Sequence, residues 1–569
     1  MSYLQIQRNQ GRKGEPFAYV HLARSVWDPV RGRSVQRRVY VGRLEASGRR
    51  VVLSKGYGGR SGEAVELAEL RRRLEAGEDL EAWLRAPVAG LGDTVSAGSS
   101  VPAGVAIVGD AHLLLHLARD TGMAALVQEA FGAEAGQALL GVALHQAVEG
   151  RAVCLAGDWL EEREVPTAMR GELLQTERVY GLIAAVGTNT VAQERFFRGW
   201  IEASGRPQAL IYDITSISTY ARDLELAEWG YSRDGESLPQ VNLALVSDSR
   251  SGRPLWYRPL PGSIPDVSTL KLTGEMLNDL GLEDFSFSLD RGFYSQANVR
   301  SMLQEQIGFT IGVPFSVAQA RGLVHRHRAA LASTKRSFPF QDHITRHVRD
   351  TWRVKGDRGR PRELDAHVFF EPARHVDSTT RLETAVFALE AKAAGETFLW
   401  RCDAWEWLKE NAGTLRSCLA IRPADGRWRI ERKARAVAVA ASRMGYTLVL
   451  TSQRDGAPEE VLARYRGRDR VEKLLDTLKN EDGQHRLRTG NDHSAAGRLF
   501  VAFLALVLHS ELERRMREGG LLRKMSVPQF LAQMRKIKSV HMAGGTRHLL
   551  EISKRNRDLL AAVGAPLPE

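Results

Sequence analysis

Apolar and polar positions change rhythm several times along the 569 residues, and each change marks a different kind of element. At the start, short apolar stretches (FAYVHL, RRVYVGRL) flank DPVRG, whose proline and glycine suit a turn, and the pattern predicts a small β unit. From Glu63 to Leu84 the spacing becomes helical and charged. PVAGLGDTVSAGSSVPAG at Pro87–Gly104 then has the composition of a linker. Between Val105 and Ser204 apolar residues recur at helical spacing, as in HLLLHLARDTGMAALVQEAF, and Thr190 with Gln193 matches a capping box. A unit of about four or five helices is expected there.

A second grammar starts at Gln208, where QALIYDITSIS, VNLALVSD and RPLWYRPLPG predict a meander of strands. DVSTLKLTGEMLNDLG predicts a helix. In FSFSLD, Phe285, Phe287 and Leu289 alternate with Ser286, Ser288 and Asp290, a strand that ends with a carboxylate on its polar face. SQANVRSMLQEQ returns to helix and FTIGVPF to strand. Residues 316–444 are basic and rich in tryptophan (Trp352, Trp400, Trp405, Trp407, Trp428), include the turn-like KGDRGRPR, and are expected to form a β-rich insertion. YTLVLTS then resumes the sheet. A long helix, APEEVLARYRGRDRVEKLLDTLKN, follows with Pro458 near its first turn and Glu459 and Glu460 at its positive end. The fold class expected is α/β, with a mixed-sheet core drawn from 206–315 and 445–515 and interrupted by 316–444. Around it stand a basic N-terminal β unit (1–60), a helix and linker (61–104), a helical region expected to bind DNA (105–205) and a helical C-terminal region (516–569).

Charge narrows the function. Eighty Lys and Arg against 68 Asp and Glu leave +12, with a pI near 9.7, which favours a polyanionic partner. Nucleic acid leads, with an anionic membrane surface as the rival. The longest strongly apolar run, Leu499–Leu508, is short of the roughly 20 residues a membrane span needs and reads as a buried helix. The N-terminus has no apolar core of signal-peptide length, so the chain is expected to stay in the cytoplasm. Cys154, Cys402 and Cys418 show no C-x-x-C spacing, against both a disulfide framework and a zinc site. His343 and His347 form H-x-x-x-H, but no glutamate follows the first histidine, so a zincin site is excluded.

Cutting a phosphodiester with two divalent cations needs clustered carboxylates. Asp213 lies inside an apolar strand, LIYDITS, and Asp290 ends another. A buried salt bridge explains the first equally well, and a turn the second. Asp223, Asp234, Asp248 and Asp266 are read as turn and cap residues. In YRGRDRVEKLLDTLK, Tyr465, Arg468, Glu472 and Lys479 fall within about 60° on one helical face. From spacing alone a solvated salt-bridge stripe accounts for them as well. Gly467 in that helix signals either close approach of a neighbour or a kink.

The Y-(2)-R-(3)-E-(6)-K pattern, preceded by YDITS and LDRGF, resembles the signature of transposases of the insertion-sequence-four superfamily, in particular its insertion-sequence-1634 branch. The resemblance implies an RNase H-like catalytic core in which Asp213, Asp290 and Glu472 hold two Mg2+ ions, with Mn2+ as a substitute. It also implies that Tyr465, Arg468 and Lys479 contact DNA phosphates near the cleaved bond. The activity implied is cut-and-paste transposition on double-stranded transposon ends and target DNA, by a homodimer acting at the nucleoid. Two other readings stay open: a catalytically silent DNA-binding derivative, and an RNase H-like nuclease without strand transfer. RWRIERKAR (Arg427–Arg435) pairs tryptophan with arginines, suited to an unpaired base or to an ordinary core. The runs Arg31–Arg38 and His325–Arg336 suit phosphates or solvent.

Overall fold

The computed structural model describes every residue except 1, 11–15, 29–32, 46, 55–63, 86–101, 222, 231–235, 265–268, 356–360, 455, 481–485 and 543–544. Most of the linker expected at Pro87–Gly104, Asp234 and Asp266, and the centre of KGDRGRPR lie outside the described residues. The chain forms two compact units, residues 1–101 with 543–545, and 102–542 with 546–569.

The first unit is an antiparallel sheet of five strands in chain order: Ser2–Gln10, Pro16–Asp28, Arg33–Leu44, Arg50–Leu53 and Ala64–Glu66. Period-two alternation puts Val20, Leu22, Val41, Val51, Leu53 and Val65 on one face. The helices Leu67–Glu75 and Leu80–Arg85 cover that face with Leu67, Leu70, Leu80 and Leu84.

The second unit is built around a nine-stranded mixed sheet. Ala209–Ser218, Gln240–Asp248 and Pro254–Pro261 form an antiparallel meander. Ser286–Leu289 then runs parallel to Ala209–Ser218, and Gly308–Gly312 parallel to Ser286–Leu289. By order of appearance these five strands lie 3-2-1-4-5 across the sheet. Helices Thr269–Asp279 and Gln296–Gln304 make the crossovers.

The insertion departs from the β-rich expectation. Its first part, Ser337–Phe340, His343–Val354 and Arg362–Phe370, extends the central sheet. Tyr446–Thr451 joins the two halves, pairing antiparallel with Gly308–Gly312 on one side and Arg362–Phe370 on the other. The second part, from Pro372 to Ala441, carries helices Pro372–Ala394, Arg401–Asn411 and Ala434–Ala441 beside a single hairpin, Leu419–Ala424 with Arg427–Arg432. It closes around its own apolar cluster, which includes Leu382, Val386, Leu408 and Ile430. Trp352 is buried in the main core, while Trp407 and Trp428 pack on the insertion's cluster, as ordinary core aromatics do.

Helices between Gly109 and Ala203 pack around Asp492–Glu518, a 27-residue helix that contains the Leu499–Leu508 run. By length and composition this helix is long and apolar enough to cross a bilayer, more than the short run suggested, yet 94% of its apolar window is buried by protein. Gly187 and Gly497 let it cross Val179–Thr188 at backbone contact; a Cβ on either would collide with the other helix. Phe196, Phe197, Phe500 and Phe503 pack edge to face and reach Tyr257 on the sheet. The cap before Thr190–Ala203 is Asn189, which accepts the Ala192 N–H at 3.1 Å, rather than Thr190. The C-terminal region is not all helix: Lys538–Met542 pairs antiparallel with Pro102–Ile107 on one side and with Arg547–Leu549 on the other in a small sheet.

Candidate active site

Asp213 and Asp290 are placed by sheet register. Ser288 pairs with Ile211 on the neighbouring parallel strand, and continuing that offset of 77 two residues further sets Asp290 level with Asp213. Residues level on neighbouring parallel strands point to the same face, and the strands lie about 4.8 Å apart. Asp213 is half-buried, and its carboxylate accepts the Ile214 N–H at 2.9 Å.

The face they share is covered by the helix Pro458–Asn480. Three contacts seat it. The Ser288 hydroxyl donates to the Arg464 carbonyl at 3.0 Å. Gly467 sits so near the turn after Asp248 that a Cβ there would lie 2.9 Å from the Ser249 carbonyl, so close approach rather than a kink explains this glycine. Tyr465 is buried over Gly312, where a Cβ would strike its phenol oxygen. The serines of FSFSLD therefore do not face solvent: Ser286 and Ser288 are buried, and Ser288 anchors the helix.

Arg468 is the hub of the polar cluster. Its guanidinium binds the Asp290 carboxylate, donates to the Tyr465 hydroxyl at 3.0 Å and stands 3.4 Å from Glu472. Burial alone would lower its pKa, but Tyr465, Asp290 and Glu472 together raise it, so it stays cationic. Burial raises the pKa of Tyr465. It also raises that of Glu472; Arg468 opposes the shift, and Asp469, Asp290 and Asp476 add to it. Four carboxylates, Glu472, Asp469, Asp290 and Asp476, thus press on one another around Arg468, an arrangement that favours gain of further positive charge.

The structure brings Tyr465, Arg468, Glu472 and Asp290 into direct contact and sets Asp213 level with Asp290. It does not bring Lys479 to them: seven residues past Glu472, Lys479 is buried about 10 Å further along the helix. Carboxylate oxygens suit Mg2+, which is usually held by one or two carboxylates with water and substrate phosphates completing its shell. Asp213, Asp290 and Glu472 fit that pattern, although among the described residues no three acidic, His or Cys side chains converge closely enough to cage a metal alone. Ser288, Ser249 and Gly312 escaped the sequence reading. Only Gly312, a glycine inside a strand, carried a signal, because such glycines often mark close approach. Asp248 caps its turn through Arg250 N and Ser251 N, both at 3.0 Å.

The family model described as transposase DDE domain matches residues 204–508, 305 of the 569, a span holding all three proposed ligands. The chain belongs to this family. The DDE domain so defined takes in the central sheet, the insertion, the long helix and most of Asp492–Glu518. No curated protein sequence matches the chain. Among solved structures, a cryo-EM structure of the piggyBac transposase synaptic complex with hairpin DNA aligns with 71% of this chain and 70% of its own, at 11% identity and a TM-score of 0.32. So low a score adds nothing to the argument.

Proposed function

We propose that the chain is a DNA transposase that cleaves transposon ends and joins them to target DNA by two-metal-ion phosphoryl transfer, in cut-and-paste fashion. The observation that carries this is the meeting of Asp290 and Asp213, level on adjacent parallel strands, with Glu472 and Arg468 on the helix over the same face. The 3-2-1-4-5 strand order supports an RNase H-like core. The intact Y-R-E-K spacing supports placement in the insertion-sequence-four superfamily and its insertion-sequence-1634 branch.

Asp213, Asp290 and Glu472 are the residues to hold two Mg2+ or Mn2+ ions, which would stabilise charge on the attacking and leaving oxygens. Tyr465 and Arg468 stand beside them to orient the phosphate of the scissile strand, Arg468 by exchanging its contact with Asp290 for one with a phosphate oxygen. Lys479 serves the same strand further from the cut. Cutting two ends together calls for a homodimer on DNA. The place of action is the nucleoid DNA of the cytoplasm.

The test combines purified protein, Mg2+ or Mn2+, and labelled DNA carrying the ends that flank its own coding sequence, for wild type and Glu472→Gln. Wild type should cut and join, and the variant should lose about a thousandfold or more in both while still binding the ends. Cutting without joining supports the nuclease reading instead, and binding without cutting by wild type supports the silent derivative.

A further inference from the structure

The sheet of the first unit has two faces, and among the described residues helices cover only one. On the other, alternation exposes Tyr3 and Gln7 on the first strand, Arg38, Tyr40 and Arg43 on the third, and half-buries His21 between them. Tyr3 and Tyr40 are 46% and 41% exposed. The assignment is checked by Arg24, which alternation sends to the opposite face and which there approaches Glu81 of the second helix at 3.9 Å. The first three strands place no carboxylate on the outer face among their described side chains. Glu66 on the fifth strand lies there, neutralised by Arg50 at 2.6 Å. Residues 1–54 carry eleven Lys and Arg against three Asp and Glu. The helical region 105–205, where DNA binding was expected, carries seven Arg and no Lys against thirteen acidic residues.

We propose that this outer face binds duplex DNA in the major groove and reads its sequence. The proposal rests on the transposase reading for its choice of nucleic acid and extends it to the surface that recognises the ends. Three strands place the outer backbones about 10 Å apart, and the major groove is about 12 Å wide. A bulge at Val20 and His21, which leaves Val41 as the extra residue, adds twist where the face must follow a helical groove. Arginine matches guanine and glutamine matches adenine at groove edges, while phosphate contacts position the protein. Tyr19 and Tyr40 meet edge to face, with an interplanar angle of 89° and centroids 5.4 Å apart. Rings locked in this way are poor platforms for unpaired bases, which favours a duplex over a single strand.

The experiment measures binding of full-length protein to labelled duplexes from the DNA flanking its coding sequence, to an unrelated duplex, to the single strands and to duplex RNA. Arg38→Gln with Arg43→Gln should weaken flanking-duplex binding about tenfold or more and flatten the salt dependence by about two units of slope. Arg38→Lys with Arg43→Lys should keep affinity for the unrelated duplex while losing preference for the flanking one. Arg195→Gln with Arg198→Gln removes two charges from exposed helical-region sites and should change neither. Unchanged binding in the first pair, an equal loss in the third, or a loss confined to single strands or RNA would overturn the proposal. Protein that binds through Arg38 and Arg43 but cuts nothing sinks the transposase reading and leaves this one standing; cutting and joining indifferent to both arginines does the reverse.

Discussion

In the N-terminal sheet charged side chains stand on an outer face, as Arg50 and Glu66 do, both half-exposed and 2.6 Å apart. In the helical region one cluster of charges goes inward. Asp110 is fully buried, Arg163 is 2% exposed, they meet at 3.1 Å, and Arg535 from the C-terminal region closes on Asp110 and Glu149. The first arrangement keeps charged side chains at the surface, whereas the second uses ion pairs to hold distant chain segments together. The difference teaches that net charge, read over the whole chain, averages two regions with opposite work: one suited to meeting a polyanion, the other to supporting the sheet that carries the candidate site.

If the helical region is a scaffold, damage to its interior should have the largest effect. Phe500→Ala removes a fully buried ring packed on Phe131, Phe196 and Phe197, and should cost about 3 to 5 kcal/mol in urea denaturation. A loss under about 1 kcal/mol would break the comparison. Asp110→Asn, which leaves buried Arg163 with only the more distant Glu149, at 3.9 Å, as counter-charge, should cost about 3 kcal/mol by the same measurement.

Acid should act on the scaffold too. Burial would raise the pKa of Glu511, but Arg514, Arg515 and Arg253 overcome it and hold it down to about 2. A depressed carboxylate stabilises the fold above its unfolded pKa, and that contribution is lost as pH falls from about 4.5 through about 2. About 3 kcal/mol should disappear over that window in wild type and not in Glu511→Gln, followed as melting midpoint against pH. The smallest effect sharpens the other side of the contrast. Arg50→Gln, at an exposed pair, should leave the melting midpoint within experimental error.

Much of the central fold was legible because its signals are local. The meander, the FSFSLD strand, its flanking helices and the long helix are all set by periodicity within a dozen residues, and Tyr465, Arg468 and Glu472 share a helical face that spacing alone reveals. What escaped depends on partners far along the chain. Lys538–Met542 pairs with Pro102–Ile107, more than four hundred residues away, so nothing near it announces a strand. Alternation set the serines of FSFSLD on a polar face, but it cannot tell a face turned to water from one packed under a helix. The insertion was misjudged because its tryptophans and turn residues suit strands, while the 23-residue helix Pro372–Ala394 mixes charged and apolar residues without a clean stripe. For Asp213, strand and position were readable, but its level with Asp290 needed the register.

The strand Tyr446–Thr451 lies between Gly308–Gly312 and Arg362–Phe370, and so closes a gap in the middle of the sheet with the last of the nine strands to be synthesised. During translation both neighbours therefore wait with open edges while the insertion is made. At about 5 to 20 residues per second, the interval between Gly312 and Thr451 lasts on the order of ten seconds. Unpaired edges of apolar strands invite foreign strands to dock. A ribosome stalled inside the insertion would thus release a chain with its central sheet split, a natural client for chaperones and a source of aggregates, whereas one stalled after Thr451 would already have the whole sheet.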